Sequence, residues 1–221
     1  MRQKTIITNE SSNMTKPKLL YVGDPMCSWC WGFANVISEL LENYEDKLEF
    51  EILLGGLRPT NEVKVDEKMK DFLLHHWTEV NKRTGQKFDH TILDQLGWIY
   101  NTEPACRAVA TLRELEGSSK ALHFFNHLQK AYYAEGNIIT TDDVIKTQAT
   151  NFGIETEAFM KKFSSDTAKQ KIFHEFGTVQ QIGIQGFPTL LFIKGDSASL
   201  VATGYSDYDK VSNRIDTFMN A

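Results

Sequence analysis

Cysteine is scarce in this sequence, which has only three in 221 residues: Cys27, Cys30 and Cys106. Such an odd, small number excludes the disulfide framework that holds small secreted domains together. Long apolar runs are also missing, because no stretch approaches the roughly 18 apolar residues of a membrane-spanning helix. Residues 1–16 contain no apolar segment of the roughly 7–15 residues that a signal peptide needs. These absences predict a cytoplasmic protein that does not enter a membrane.

Positive charge is in deficit as well. Lysine and arginine number 24 against 29 aspartates and glutamates, which gives a formal net charge of −5 at pH 7. A phosphate-binding surface usually needs a basic excess, so nucleic acid is not expected as a partner. The length suits one domain, or one domain with a large insertion. Residues 1–16 are polar and predict a flexible tail, and Met14 leaves open which methionine starts the working protein.

A strand–helix–strand pattern follows this tail. The apolar run at residues 18–23 ends in Gly-Asp-Pro and predicts a buried strand followed by a turn. Apolar residues then recur at steps of three and four between residues 33 and 41, as on one face of a helix. Residues 48–54 begin with alternation, end at two glycines and predict a second strand. The order predicts a right-handed βαβ unit.

The middle of the chain shows helical patterns and no convincing strand, and Pro104 is well placed in the first turn of a helix. The mixed pattern then returns. It consists of a helix, two hairpin strands and a helix, over residues 168–182, 189–193, 200–203 and 208–219. We therefore predict an α/β fold in which residues 17–59 and 166–221 form a sheet-containing domain and residues 60–165 form an all-helical insertion.

The segment Cys27-Ser28-Trp29-Cys30 follows a predicted strand and opens a predicted helix. Free backbone N–H groups and the positive end of the helix dipole favour an anion at a helix start, and thiolate is the reactive form of cysteine. Cys30, three residues on, lies on the same helix face and can attack a mixed disulfide formed at Cys27. Cys27 is therefore predicted to be the attacking nucleophile and Cys30 the resolving thiol.

A zinc site is the main alternative for a Cys-x-x-Cys pair. It would need two more ligands, and the candidates are Cys106 and the closely spaced His123 and His127. Such a set would join distant parts of the chain, unlike the compact spacing of zinc modules, so we predict no metal. Cys106 itself is interpreted as a buried small apolar residue, with a third redox partner as the alternative.

Phe187-Pro188 marks a second region of interest. A proline at the head of an apolar strand cannot donate to the sheet and belongs at a strand start. If the bond before Pro188 is cis, a tight turn would lie beside the dithiol and the backbone of Phe187 could pair with a substrate strand. An ordinary trans proline after Gly186 fits the local sequence equally well. Trp29 and Trp31 are candidates for an apolar rim that contacts peptide substrates, with core packing as the alternative.

Three motifs are distinctive: CSWCWGF at residues 27–33, NTEPACRA at residues 101–108 and GFPTL at residues 186–190. With the order of elements, they resemble the DsbA-like branch of the thioredoxin superfamily. Within that branch, the cysteine segment looks like the cytoplasmic FrnE-like members and predicted protein-disulfide isomerases. The resemblance implies a thioredoxin-like fold with a large helical insertion covering the dithiol, a cis bond before Pro188, and thiol–disulfide exchange.

Two features set this sequence apart from the periplasmic oxidants of that branch. No histidine lies between the cysteines, and Asp24 is close by in sequence with a charge that would oppose thiolate formation. Together they predict a milder, more reducing couple. Asp24 could also accept a proton from Cys30, although a turn-forming role before Pro25 is the simpler interpretation.

The predicted function is that of a thiol–disulfide oxidoreductase or isomerase that acts on protein or small-molecule disulfides through Cys27 and Cys30. Its expected partners are thiol- or disulfide-containing proteins, and its only redox group is the cysteine pair, with glutathione as a candidate reductant. A monomer or a homodimer is expected. Two alternatives stay open: a cytoplasmic adaptor protein that is non-catalytic or senses oxidation, and a kappa-type, glutathione-using isomerase or transferase.

Overall fold

The computed structural model describes residues 16–221 and has an α/β fold built on a four-stranded sheet. The strands are β1 Lys18–Gly23, β2 Glu49–Leu54, β3 Thr189–Lys194 and β4 Ser197–Thr203. They lie in the order β2-β1-β3-β4, with β1 parallel to β2 and antiparallel to β3, and β4 antiparallel to β3. The tail predicted at residues 1–16, including Met14, lies outside the described residues apart from Lys16.

Nine α-helices surround this sheet within residues 16–221. They are α1 Ser28–Gly32, α2 Ala34–Tyr44, α3 Glu67–Thr84, α4 Glu103–Glu116, α5 Ser118–Tyr133, α6 Asp142–Phe152, α7 Thr156–Phe163, α8 Asp166–Gln181 and α9 Tyr208–Asn220. Helices α3 to α7 confirm the helical pattern predicted for the middle of the chain, where a single bridge between Lys64 and Ile99 is the only strand-like pairing among described residues.

The predicted βαβ unit is present, but its helix is interrupted. Helices α1 and α2 meet at Phe33, whose backbone φ of −87° and ψ of −5° depart from regular helix geometry. The Phe33 N–H donates to the carbonyl oxygens of both Trp29 and Cys30, each at 3.1 Å. This break separates the short helix that carries the two cysteines from the longer one that packs on the sheet.

Strand β1 is buried on both faces, which explains its continuous apolar run. Leu19 and Tyr21 face a large core that also contains Ile215 of α9. Leu20 and Val22 face the other way and pack with Val179 of α8. Helices therefore cover both sides of the strand that leads to the cysteines, and they fix the position of its carboxyl end.

The helical insertion shares its core with the sheet. Phe125 of α5 packs edge to face on Tyr21 of β1, with ring centroids 5.5 Å apart, and both belong to one continuous buried cluster. The domain limits at residues 60 and 165 therefore stay a prediction about chain organisation, since packing continues across them. In the described part of the chain, no helix combines the length and apolar character needed to cross a membrane.

Candidate active site

Cys27 lies at the start of α1, directly after the turn at Pro25 and Met26 that follows β1. Its backbone N–H donates to the carbonyl of Asp24 at 3.0 Å, and its own carbonyl accepts the Trp31 N–H at 3.0 Å. Residue Cys27 is 7% exposed, whereas Cys30 is completely buried, and both are free thiols. Of the two sulfurs, Cys27 is therefore the one that a substrate can reach.

Cys30 lies one turn deeper in the same helix. Burial raises the pKa of the Cys30 thiol well above its ordinary value, and the hydrogen bond and charge of Cys27 raise it further. The contribution of Cys27 disappears once that sulfur is in a disulfide, because it then carries no negative charge. A thiol that becomes easier to deprotonate after Cys27 has reacted suits the resolving step.

Phe187 and Pro188 return to Cys27 from 160 residues along the chain. The bond between them is cis, as the resemblance implies. The Cys27 thiol donates to the carbonyl oxygen of Phe187, with 3.7 Å between the two atoms. Pro188 is buried at the head of β3, and its carbonyl accepts the Gly204 N–H at 2.8 Å. The tertiary structure thus brings the predicted nucleophile and the predicted proline segment together, while their substrate contacts stay a prediction.

A hollow of about 280 Å³ opens beside Cys27. It lies between the cysteine helix, the segment after β2, α3 and the segment before Pro188, and its lining includes Cys27, Trp29, Arg58, Phe72, Tyr100 and Phe187. Trp29 and Phe187 also line a shallower hollow on the side of Tyr205. The half-buried Trp29 therefore lies where the predicted rim requires it, and its contact with peptides stays a prediction.

Trp31 is not among the residues that line the hollow beside Cys27. Its side chain is only 8% exposed, its ring stacks on Tyr133 of α5 with centroids 6.1 Å apart, and its indole N–H donates to the Lys87 carbonyl at 3.0 Å. The side-chain amide of Gln86 donates to the Trp31 carbonyl at 3.0 Å. Trp31 therefore joins the cysteine helix to the helical insertion, and its predicted contact with substrate stays a prediction.

Asp24 forms the turn before the cysteines and also reaches beyond it. Its Oδ1 accepts the Met26 N–H at 2.8 Å, which confirms the turn-forming role. Its Oδ2 accepts the Leu57 N–H at 2.6 Å and the Cys106 thiol at 3.3 Å. The side chain is fully buried, and burial raises the pKa of its carboxyl despite these donors. Asp24 therefore connects the cysteine turn to the segment after β2.

Cys106 is buried, as predicted, and contacts Asp24. Burial raises the pKa of Cys106, and the charge of Asp24 raises it further. His127 hydrogen-bonds the Gln148 side chain at 3.0 Å. Among residues 16–221, no group of three or more histidine, cysteine, aspartate or glutamate side chains is arranged to hold a metal ion.

Sequence reasoning missed two residues near the cysteines, Arg58 and Tyr21. Arg58 follows β2, and Cys27 follows the parallel strand β1, so the shared carboxyl edge of the sheet was a usable signal for this proximity. Tyr21 lies in β1 with a buried hydroxyl that makes no hydrogen bond of ordinary geometry among the described residues. Burial raises the pKa of Tyr21 well above its ordinary value, and the nearby Cys30 raises it further.

Known proteins with similar sequences or structures include both enzymes and adapters. A thioredoxin family model matches residues 20–213. A proposed protein disulfide isomerase from Nitrosomonas europaea is 36% identical, with a TM-score of 0.86 over 93% of this chain and 98% of that one. The cytosolic disulfide reductase DsbM from Pseudomonas aeruginosa is 20% identical, with a TM-score of 0.77 over 92% and 98%, and has also been solved with GSH.

The ClpXP adapter protein SpxH of Bacillus subtilis is 24% identical over 203 residues, which are 88% of this chain and 65% of the adapter. The chain thus spans about two thirds of the length of this curated relative. The family match covers most of the chain, and the structural matches extend over 92–93% of it. The chain belongs to the thioredoxin family, and its fold is DsbA-like.

Proposed function

We propose that this protein is a thiol–disulfide oxidoreductase whose reaction runs through Cys27 and Cys30. One observation carries the proposal: a slightly exposed thiol and a fully buried thiol follow each other at a helix start, and the exposed one contacts the Phe187 carbonyl at 3.7 Å. The similarity to a proposed disulfide isomerase and to a disulfide reductase supports the same class of reaction.

The reaction proceeds in two exchanges. The Cys27 thiolate attacks one sulfur of a substrate disulfide, a bond forms between the two sulfurs, and the other substrate sulfur leaves with the electron pair and takes a proton. Cys30 then loses its proton and attacks the Cys27 sulfur, which closes the Cys27–Cys30 disulfide and releases the first substrate sulfur as a thiol. Two electrons pass from the cysteine pair to the substrate.

The direction we propose is reduction or isomerisation in the cytoplasm, with glutathione as the reductant that regenerates the dithiol. DsbM, a structural neighbour, is a cytosolic disulfide reductase that has been solved with GSH. The Ser-Trp pair between the cysteines supports a mild couple, because it provides no histidine to stabilise the thiolate. Equilibration of the Cys27–Cys30 pair with glutathione buffers measures the couple, and a strongly oxidising potential would contradict the proposal.

Single serine variants test the assigned roles. In insulin-reduction and scrambled-ribonuclease assays, Cys27→Ser should lose the cysteine-dependent rate, whereas Cys30→Ser should accumulate a mixed disulfide at Cys27 that mass spectrometry detects. Cys106→Ser is the matched control, because Cys106 is fully buried and its thiol donates to Asp24. Full activity in Cys27→Ser would contradict the proposal and favour a kappa-type, glutathione-using enzyme.

An adaptor role is the second candidate, and the similarity to SpxH favours it. An adaptor would present a protein partner to a protease without turning over disulfides. Because SpxH is a ClpXP adapter, addition of this protein to ClpXP with a candidate substrate tests the role directly. Accelerated degradation that persists in Cys27→Ser, without insulin reduction by the native chain, would replace the oxidoreductase proposal.

A further inference from the structure

Arg58 is a charged residue whose side-chain donors have no partner among residues 16–221. It lines the same hollow as Cys27, yet its guanidinium forms no ion pair and no hydrogen bond within that part of the chain. Arg58 is half-buried, and a charge-assisted hydrogen bond to an acceptor would be stronger than one between neutral groups. The free donors of Arg58 therefore face space in which a ligand can supply the acceptor.

The backbone of Arg58 is fixed on both sides. Its N–H donates to the Thr102 hydroxyl at 3.1 Å, and its carbonyl accepts the Thr102 N–H at 3.2 Å. The preceding residue, Leu57, is held by the buried carboxyl of Asp24 at 2.6 Å. These contacts tie the segment to the turn that carries Cys27, so the distance between Arg58 and the reactive thiol is set by the fold.

The guanidinium is held by aromatic rings. Its central carbon lies 5.8 Å from the ring centroid of Phe72 and 5.6 Å from that of Tyr100, both of which line the hollow. Tyr100 is itself anchored, because its hydroxyl donates to the Met26 carbonyl at 2.6 Å. Stacking on aromatic faces leaves the edge of a guanidinium, where its N–H donors lie, available for a carboxylate. No aspartate or glutamate lines the hollow to compete.

We propose that Arg58 binds the carboxylate of a small thiol or disulfide in this hollow and so selects carboxylate-bearing partners for exchange at Cys27. This inference rests on the proposed function and adds to it a specificity residue and a substrate class. The hollow of about 280 Å³ is near the lower limit for small-molecule sites. Its largely apolar lining, in which Arg58 lies near the polar Ser28, His76 and Gln185, fits a compact, anionic ligand.

The step affected is reduction of the oxidised cysteine pair by two thiols. The first thiolate attacks the Cys27 sulfur, the Cys27–Cys30 bond breaks, and Cys30 takes the electron pair and a proton. A second thiolate attacks the bound thiol's sulfur, which frees Cys27 as a thiolate and releases the small disulfide. Two electrons move from the two thiols to the protein. Arg58 acts by holding the first thiol beside Cys27.

The test compares glutathione with its diethyl ester, in which both carboxylates are esterified. The rate of reduction of the oxidised pair is followed by tryptophan fluorescence, and the ratio of the two rates is measured in the native protein, Arg58→Gln and Arg58→Lys. We expect Arg58→Gln to lower the ratio about tenfold, and Arg58→Lys to retain much of it, since the charge remains. The difference in intrinsic thiol reactivity cancels between proteins.

Arg83→Gln is the matched control. Arg83 lies on the other side of Trp29, and Asp207 already accepts from its guanidinium at 2.8 Å, so its loss should leave the ratio unchanged. An unchanged ratio in Arg58→Gln would overturn the inference while exchange by the native protein stands. If neither thiol reduces the native disulfide, the proposed function fails and this inference fails with it. Equal Arg58 dependence for a glutamate-flanked cysteine peptide would reassign the residue to peptide recognition.

Discussion

Arginines at two places near β2 behave in opposite ways. At the outer edge of the strand, Arg113 donates to the Ile52 carbonyl at 2.6 Å and to Glu175 at 2.8 Å, while Glu175 accepts the Leu54 N–H at 2.7 Å. Beyond the carboxyl end of the same strand, Arg58 lines the hollow beside Cys27 without an ion-pair partner among residues 16–221. Arg113 therefore stabilises the fold, whereas the guanidinium of Arg58 is available to a ligand.

The difference separates a structural charge from a functional one. Strand β2 is the edge of the sheet, and its unpaired backbone groups would otherwise offer a template for another strand. The pair formed by Arg113 and Glu175 occupies two of these groups and so closes the edge. The backbone of Arg58 is fixed by hydrogen bonds, while its guanidinium N–H groups are free to bind a ligand. This arrangement is typical of a binding residue.

The largest expected effect is the loss of stability on breaking the pair of Arg113 and Glu175 at the edge of the sheet. Glu175→Gln leaves Arg113 partly buried without its counter-ion, and we expect it to lower the free energy of unfolding by about 3 kcal/mol. Urea denaturation measures this loss. Glu49→Gln, on the same strand but in a solvent-exposed pair with Lys18, should change stability far less. A matching loss of disulfide-exchange rate per folded molecule in Glu175→Gln would break the comparison, because the edge would then serve function too.

A smaller effect is expected where Phe187 packs against the backbone. A Cβ atom on Gly55 would lie 1.9 Å from the ring of Phe187, so Gly55→Ala must displace that ring. We expect a loss of about 1–3 kcal/mol in unfolding free energy and a fall in exchange rate of about tenfold or more. Gly177→Ala is the control, because nothing lies within 4 Å of its Cβ. An unchanged exchange rate in Gly55→Ala would show that the position of Phe187 does not matter to the chemistry.

The smallest effect concerns the pH dependence of Asp24. Burial raises its pKa in the folded protein, so between the unfolded value and the raised value the native state binds more protons. The free energy of unfolding contributed by this group therefore falls as pH rises through that window. As pH rises through the same window, the native protein should therefore lose stability relative to Asp24→Asn. Urea denaturation at several pH values measures this difference.

Asp207→Asn sharpens this test, because its effect has the opposite sign. Arg83 lowers the pKa of Asp207 through a hydrogen bond, so the unfolded state binds more protons just above the folded-state pKa. Its contribution to stability is present above the unfolded pKa and is lost as pH falls. Parallel slopes for the two variants would contradict the assignment of Asp24 as a buried acid that is costly to ionise.

The sequence by itself determined most of the elements and singled out the cysteine pair. The strand that ends before Asp24, the helical repeat after Cys27 and the strand that begins after Pro188 depend on residues a few positions apart. Local sterics and apolar periodicity act over that range, so they can be recognised without a structure. The resemblance in the cysteine and GFPTL motifs extended this to the fold and to the cis bond.

Only the tertiary structure decided which residues near the cysteines pack into the core and which line the hollow beside Cys27. Trp29 and Trp31 are two residues apart, yet one lines the hollow and the other is buried against Tyr133. Each residue turns the helix by about 100°, so the two side chains point in different directions. The position of the inserted helices determines which of the two is buried. Likewise, Arg58 is available only because no aspartate or glutamate from another segment of residues 16–221 lines its hollow. The sequence alone does not show which distant segments lie beside it.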